Sequence, residues 1–405
     1  MSHEKYKVNH KRKDTDSQLE RVLLAFSGGI SSLVLLDVLA NLLVEQRSSH
    51  RGLQGFELVV VNLNEFELKS LNRKVAECLS DLVGLYPSVD LEVKLVSLES
   101  YADTSSFSSI TVDQAFNTSS LNQVKNGQTS LVEIIRNCPN KSSSEDLLEI
   151  VKHQLILHTA AREECNTVVY GHSMTRLANE VLALTVKGRG SAVHRDIMNR
   201  AEACQGKEIS IIYPFRDLLQ VELEEYAKLS DLTRFEVKST VATSKISKNM
   251  SVREILANYL AGLDDSGYLS SASTVVKIAE KLGAPAPQVA DRCQVCETNI
   301  YKNPKEWLTT ITVSEPAAFE SEEEKEYLEE YLRTTKPANH NSSGSPIDLC
   351  YGCIVALNGV GNHSGFVWPI RPKVKLQYEN HAQEKAAILD EYLLTDDEGN
   401  GDDTV

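Results

Sequence analysis

A short apolar run that leads directly into a glycine-rich turn constrains the first half of this chain more than any other feature. Residues 21–26 (RVLLAF) are apolar after the first position, the form taken by a strand buried on both faces. They are followed at once by Ser27-Gly28-Gly29-Ile30-Ser31-Ser32 and then by leucines at helical spacing over residues 33–45. Strand, tight turn and helix in that order open a parallel α/β sheet. The pattern then repeats. Residues 56–63 (FELVVVNL) read as a second strand, residues 66–85 as a helix that stops before Pro87, and residues 89–98 (VDLEVKLVSL) as a third strand. Right-handed crossovers place such strands side by side and parallel.

The pattern is interrupted at residues 101–144, rich in Ser, Thr and Asn, which read as a long loop or insertion with one short helix near residues 131–136. Residues 145–164 form a strong helix with Ser144 as its N-cap. Residues 167–170 (TVVY) are the fourth strand, and residues 177–187 a helix ended by Gly188 or Gly190. Residues 209–213 are the fifth strand, closed by Pro214. Residues 221–229 are helical, and residues 252–260 and 271–282 are a helical pair. From about residue 286 cysteines come in pairs, charge rises and periodicity fades. The expected organisation is a basic flexible arm (1–20), an α/β domain (21–285), a four-cysteine module with an inserted acidic segment (286–370) and an acidic, partly disordered tail (371–405).

Composition narrows the function classes. With 405 residues, 41% of them hydrophobic and 24% charged, the chain has enough apolar material for a real core, which excludes fibrous and wholly disordered readings. No run approaches the ~18 apolar residues that span a bilayer. The polar, basic start carries no apolar stretch, so no signal peptide and no membrane association are expected. Eight cysteines in such a chain point to a reducing, cytoplasmic setting. A net charge of −15 weighs against a generic nucleic-acid binder. The acid is concentrated at residues 320–330 and 396–403, however, while Lys5, Lys7, Lys11, Arg12 and Lys13 form a basic cluster at the front that is suited to RNA phosphate.

Three constellations carry chemistry. The loop Ser27, Gly28, Gly29, Ser31, Ser32 can cradle a phosphate, because glycines admit the anion to backbone N–H groups at a helix N-terminus. It is neither a Walker A loop nor a dinucleotide loop. The bland alternative is a turn that only joins strand to helix. Gly171 and His172 stand at the carboxyl end of the fourth strand, where ligands of such sheets bind; His172 contacts a nucleotide or uracil there, or is a satisfied structural histidine. Cys293-x-x-Cys296 and Cys350-x-x-Cys353 supply four thiolates at the spacing of a structural Zn²⁺ site. Lys187, Arg189 and Arg195 cluster where a phosphate can approach, or else serve as an ordinary basic helix end. Cys78, Cys138, Cys165 and Cys204 read as small apolar fillers, Trp307 and Trp368 as core anchors, and residues 322–330 as a solvated helical face.

The ordered set resembles a known family. Ser-Gly-Gly-x-x-Ser is the pyrophosphatase loop of the adenylating PP-loop ATPases. Gly171-His172-Ser173-Met174 looks like the second nucleotide-side motif of tRNA thiolases, and Lys187–Gly190 and Tyr213–Asp217 resemble stretches downstream in those enzymes. Together with the cysteine pairs, these residues are similar to the second, non-catalytic subunits of the cytoplasmic tRNA 2-thiolation complex, over most of residues 21–369.

The resemblance implies an adenine-nucleotide hydrolase-like α/β fold and a heterodimer with a catalytic thiolase. It also implies tRNA binding, and 2-thiouridine formation in tRNAs for Lys, Glu and Gln with sulfur from a thiocarboxylated ubiquitin-related modifier. Active relatives carry an aspartate where this chain has Ser31, and acidic residues where it has Thr175 and Arg176. Carboxylates there hold Mg²⁺ as the adenylate forms. Active relatives also carry cysteines where this chain has only Cys138 or, at residues 235–238, none. A degenerate cradle follows, one that can still take ATP through backbone N–H groups but is not expected to turn it over. The rival is an autonomous ATP-dependent adenylating tRNA-modifying enzyme of the same fold.

Overall fold

The computed structural model describes residues 6–8, 19–65, 68, 71–72, 74–102, 107–112, 118–123, 130–138, 140–238, 250–282, 291–300, 304, 321–335, 347–358 and 366–373. Along the chain these form β1 (Glu20–Ala25), α1 (Ile30–Ser49), β2 (Phe56–Asn64), α2 (Val75–Val83) and β3 (Leu91–Ser97). Next come β4 (Phe107–Val112), β5 (Thr118–Gln123), α3 (Leu131–Arg136), α4 (Lys141–Arg162), β6 (Thr167–Tyr170) and α5 (Met174–Val186). They are followed by α6 (Val193–Ile197), β7 (Arg200–Cys204), β8 (Lys207–Ile212), α7 (Gln220–Leu229), α8 (Val252–Asp265) and α9 (Ser270–Lys281). The last group is β9 (Asp291–Arg292), β10 (Asn299–Ile300), α10 (Glu322–Thr335), α11 (Tyr351–Asn358) and β11 (Phe366–Pro369).

The central sheet has six strands in the order β3-β2-β1-β6-β8-β7, parallel except for β7. Alternation along the strands assigns side chains to two faces. Val22, Leu24, Leu58 and Val60 point to the layer of α1, α2 and α7. Leu23, Val59, Val61 and Val168 point to the layer of α4 and α5. These positions are essentially fully buried, each contributing about 1.5–3 kcal/mol.

The parallel strands and most helices follow the expectation, with differences that have physical causes. The long helix starts at Lys141, not after Ser144, because the Asn140 side chain accepts the Ser142 N–H at 2.9 Å and supplies the N-cap. The edge strand β7 escapes the sequence reading. It turns into β8 through Gln205 and Gly206, both at positive φ (50° and 78°), the two-residue turn that twisted hairpins favour. Gln-Gly is a weaker signal for it than Asn-Gly. The stretch read as a loop at residues 101–144 holds β4 and β5, which join β11 in an antiparallel sheet of order β11-β4-β5. That pairing spans most of the sequence and leaves no local trace.

The cysteine-bearing part does not pack as a separate smaller unit. One continuous apolar cluster contains Leu23, Val168 and Ile209 of the sheet, Cys293, Val295, Leu349 and Ile354 around the cysteines, and Trp368 of β11. Trp368 is a core anchor at 0% exposure; Trp307 lies outside the described residues. At the N-terminus Tyr6 is docked rather than free. Its ring meets Phe56 edge-on at 6.1 Å and its hydroxyl shares a 2.7 Å hydrogen bond with Thr167. Lys5, Lys11, Arg12, Lys13 and residues 374–405 of the acidic tail lie outside the described residues.

Candidate functional site

The glycine turn sits where the helices α1 and α5 begin. Gly28 takes φ +83°, a left-handed conformation that glycine adopts without cost. Gly29 is the N-cap of α1, and the Ser32 side chain donates to its carbonyl at 2.8 Å. Ser27 and Ser32 hydroxyls lie 3.4 Å apart. Gly171 brings the β6–α5 turn against this loop: a Cβ on it would stand 2.8 Å from the Ser31 carbonyl oxygen. The two motifs therefore meet as one cradle with two helix N-termini around it.

That cradle is filled by the chain itself. The Gln220 side-chain oxygen, at the start of α7, accepts from the Ser31 hydroxyl at 3.0 Å and from the Ser173 hydroxyl at 3.1 Å. It stands between the two helix starts, where an anion's oxygen would accept. The Gln220 backbone N–H donates to Thr175 at 3.2 Å and its side-chain amide to Glu224 at 3.2 Å. On the other side Val237 donates its N–H to the Gly28 carbonyl at 2.9 Å and packs on the Gly28 Cα. Ser31 and Thr175 are thus members of one hydrogen-bond cluster centred on Gln220, which the Glu224 carboxylate joins.

His172 is held in an aromatic stack, its ring 5.4 Å from both Tyr170 and Tyr213. Burial first, then the Arg176 guanidinium, pushes its imidazole down to about 3; burial and then Arg371 push His158 down to about 4. Both rings are neutral near pH 7. The folded values lie below the unfolded histidine value of about 6.5, so the unfolded chain takes up protons first. The stabilisation is complete above about pH 6.5 and is lost as pH falls. Between pH 7 and pH 5 the His172 contribution falls by about 2 kcal/mol. Urea unfolding of His172→Phe is expected to show a shallower loss between those pH values than the parent chain; equal slopes would refute the neutral stacked ring.

The four cysteines converge on a second site. Cys293 and Cys296 lie on the β9–β10 knuckle, where the Cys293 carbonyl accepts the Glu297 N–H at 2.9 Å and Glu297 turns back at φ 57°. Cys350 and Cys353 flank the first turn of α11, with Ile354 N–H donating to the Cys350 carbonyl at 3.0 Å. Gln294 ties the halves together, bonded to Asp348 through both its N–H (2.9 Å) and its side-chain oxygen (3.0 Å). All four sulfurs lie within 4.8 Å of one another, and Cys296 and Cys350 are 3.6 Å apart. Tetrahedral bonds of ~2.3 Å require sulfurs about 3.8 Å apart. The donor set therefore fits one thiolate-bound divalent ion; a cubane cluster, with each cysteine on a different iron, spreads its sulfurs farther. None of the eight cysteines is joined in a disulfide.

The cations of the Lys187-Gly188-Arg189-Gly190 stretch, read as a phosphate patch or an ordinary basic helix end, are engaged within the fold. Lys187 is buried and paired with Asp146 of α4 at 2.8 Å. Arg189 points at the cysteines, its Nη2 3.7 Å from Cys353 Sγ. Arg195 is paired with Asp196 at 2.9 Å. Asp146 also binds Arg253 of α8 at 2.8 Å, and Arg253 holds Glu180 of α5 at 2.7 Å. Burial works to raise the Asp146 carboxyl, but Arg189, Lys187 and Arg253 outweigh it and hold the group below its ordinary range. Sequence reasoning missed Asp146, Arg253 and Gln220. Each is one polar residue on an otherwise ordinary helix, and only the tertiary fold supplies its partner.

Two glycines explain why the basic stretch and the second cysteine pair meet. A Cβ on Gly188, itself at φ +70°, would stand 2.6 Å from the Tyr351 ring. A Cβ on Gly352 would collide with the Arg189 side chain. The end of α5 and the start of α11 thus interlock.

A protein of Lodderomyces elongisporus called cytoplasmic tRNA 2-thiolation protein 2 is 51% identical over 97% of this chain and 90% of its own length. The chain belongs to the cytoplasmic tRNA 2-thiolation protein 2 family. The family's own model matches residues 251–355, which span α8 to the second cysteine pair. The member from Debaryomyces hansenii is 46% identical over 98% of this chain and 88% of its own length, and one from Saccharomyces cerevisiae is 28% identical over 95% and 88%. Among solved structures, the U34-tRNA thiolase NcsA from Methanococcus maripaludis, determined with its [4Fe-4S] cluster, matches at a TM-score of 0.45 and 14% identity, covering 75% of this chain and 85% of that one. Among the described residues no helix is long and apolar enough to cross a membrane.

Proposed function

We propose that this chain is the non-catalytic subunit of the cytoplasmic machinery that converts the wobble uridine of tRNAs for Lys, Glu and Gln to 2-thiouridine. It pairs with a catalytic thiolase, which adenylates the uridine C2 oxygen and receives sulfur from a thiocarboxylated ubiquitin-related modifier. The chain's share is to stabilise the heterodimer and to help hold tRNA. The observation that carries this reading is the filled cradle. The strand–turn–helix geometry of a nucleotide site is kept, yet Gln220 joins Ser31 to Ser173 and Val237 covers Gly28. A triphosphate has to displace both, and neither Ser31 nor Thr175 offers Mg²⁺ a hard anionic ligand.

Zn²⁺ is the ion that suits Cys293, Cys296, Cys350 and Cys353, since four thiolates in a closed tetrahedral set are the donor set of structural zinc. Such an ion supplies folding energy rather than a reaction step. The residues around it hold the knuckles together through Gln294 and seat α11 on α5.

The deciding measurement is pyrophosphate release by the purified chain with tRNA and Mg·ATP. The expected result is release no faster than without protein, with activity appearing only when the thiolase partner is added. Turnover by the isolated chain would overturn the reading in favour of an autonomous adenylating enzyme. Loss of 2-thiouridine from cellular tRNA on deletion of the gene, restored by the Gln220→Ala chain as well as by the parent, would support a structural role for this cradle.

A further inference from the structure

We propose that Arg189 is the charge partner of the four-cysteine metal centre, the residue that compensates its negative charge and fastens it to the α4–α5–α8 layer. The inference rests on the assignment of a single divalent ion to that cysteine set. Four thiolates and one divalent cation carry a net charge of −2, and the centre is enclosed in the apolar core with Cys293 and Cys353 each 1% exposed. A buried net charge of that size is costly unless an opposite charge is brought to it. Arg189 is the cation that the fold delivers. Its side chain is 11% exposed, its Nη2 lies 3.7 Å from Cys353 Sγ, and its Nε lies 4.0 Å from Asp146.

The backbone is arranged to bring it there. The Arg189 N–H donates to the Leu184 carbonyl at 2.8 Å as the chain leaves α5 through Gly188 at φ +70°. Gly352, between the second pair of cysteines, leaves the space in which the Arg189 side chain lies. A free guanidinium on an RNA-binding surface needs neither glycine. The guanidinium is also the right group. Its planar fork offers one edge to sulfur and another toward a carboxylate, which an ammonium does not. Hydrogen-bond donors behind metal ligands typically change metal affinity by about 10- to 100-fold when removed.

The second consequence is a mechanical link. Asp146 contacts Arg189, Lys187 and Arg253, so the helices α4, α5 and α8 share one carboxylate with the metal centre's cation. Charge lost at the cysteines leaves Arg189 without its thiolate partners, in a layer that already holds two other cations on Asp146.

Cobalt titration of the metal-stripped full-length chain tests this, because Co²⁺ reports the sulfur environment as well as occupancy. The parent chain is expected to bind one Co²⁺ with the visible bands of a tetrahedral thiolate site and a sulfur-to-cobalt charge-transfer band. In Arg189→Met, Co²⁺ affinity is expected to fall by about 10- to 100-fold. The charge-transfer band is expected to shift to longer wavelength, because a sulfur that no longer donates electron density into a hydrogen bond is easier to oxidise. Arg189→Lys is expected to recover part of the affinity. Arg189→Gln keeps a polar donor on a shorter side chain without the charge, and gives the same decision if the Met variant does not fold. A generally destabilised chain would lose affinity without moving the band. Unchanged affinity and an unchanged band in the charge-free variants would overturn the proposal. A parent chain without thiolate–cobalt bands would instead remove the metal assignment beneath it.

Discussion

Replacing Cys353 by serine is expected to leave little folded protein. A structural zinc contributes about 10–16 kcal/mol in small modules, against a whole-domain stability of about 5–15 kcal/mol. In many proteins a metal module unfolds alone and the rest survives. Here the cysteines share an apolar cluster with the sheet: Cys293, Val295, Leu349 and Ile354 pack in one body with Leu155, Val168 and Ile209. Loss of the knuckles therefore uncovers the face of the sheet on which α4 and α5 lie. Soluble yield, zinc content and thermal unfolding measure the effect. Cys138→Ser is the matched control. Cys138 is half-buried, and burial pushes its thiol up to about 11, which suits an unreactive filler; its loss is expected to change stability by less than about 1 kcal/mol. A Cys353→Ser chain as stable as the Cys138→Ser chain would exclude a structural metal.

Asp146→Ala is expected to cost about 3–5 kcal/mol, the range found when one partner of a buried ion pair is removed. Asp146 is buried and pairs at 2.8 Å with Lys187 and at 2.8 Å with Arg253. Its removal takes away the ion pair of Lys187 and leaves only the weaker pull of Glu145, while Arg253 retains Glu180. Most of the penalty should therefore come from Lys187, and the double variant Asp146→Ala/Lys187→Met should regain a substantial part of it. Urea unfolding of the two single variants and the double variant closes the cycle. Additive losses would mean that the two groups act independently and that their 2.8 Å approach carries no energy.

The sequence made the sheet legible because its strands are buried on both faces and its helices carry leucines at helical spacing; both patterns are local. The glycine turn and the cysteine pairs were legible for a similar reason, since spacing along the chain defines them. The partners of the cations were not legible. Lys187 and Arg189 look alike in sequence, next to flexible glycines and close to Arg195, as a phosphate patch would. Only the fold reveals Asp146 one helix away and Cys353 more than 160 positions later. Gln220 illustrates the same limit: the absence of carboxylates at Ser31 and Thr175 was readable, but not the side chain that occupies the resulting space. The strands β4 and β5 were hidden because their third partner, β11, comes from the far end of the described chain.

That last pairing has a bearing on how the protein is made. β11 completes a sheet begun about 250 residues earlier, and the Phe366 and Trp368 side chains it delivers are buried with Phe107 and Ile110. At roughly 5–20 residues per second of synthesis, one edge of β4 waits on the order of 10–50 seconds for its neighbour. During that interval a nascent polypeptide presents an unpaired strand and an uncovered aromatic pocket, the kind of surface that invites premature association. Ribosome-stalled fragments ending before residue 366 are thus the form of this protein most in need of chaperone protection.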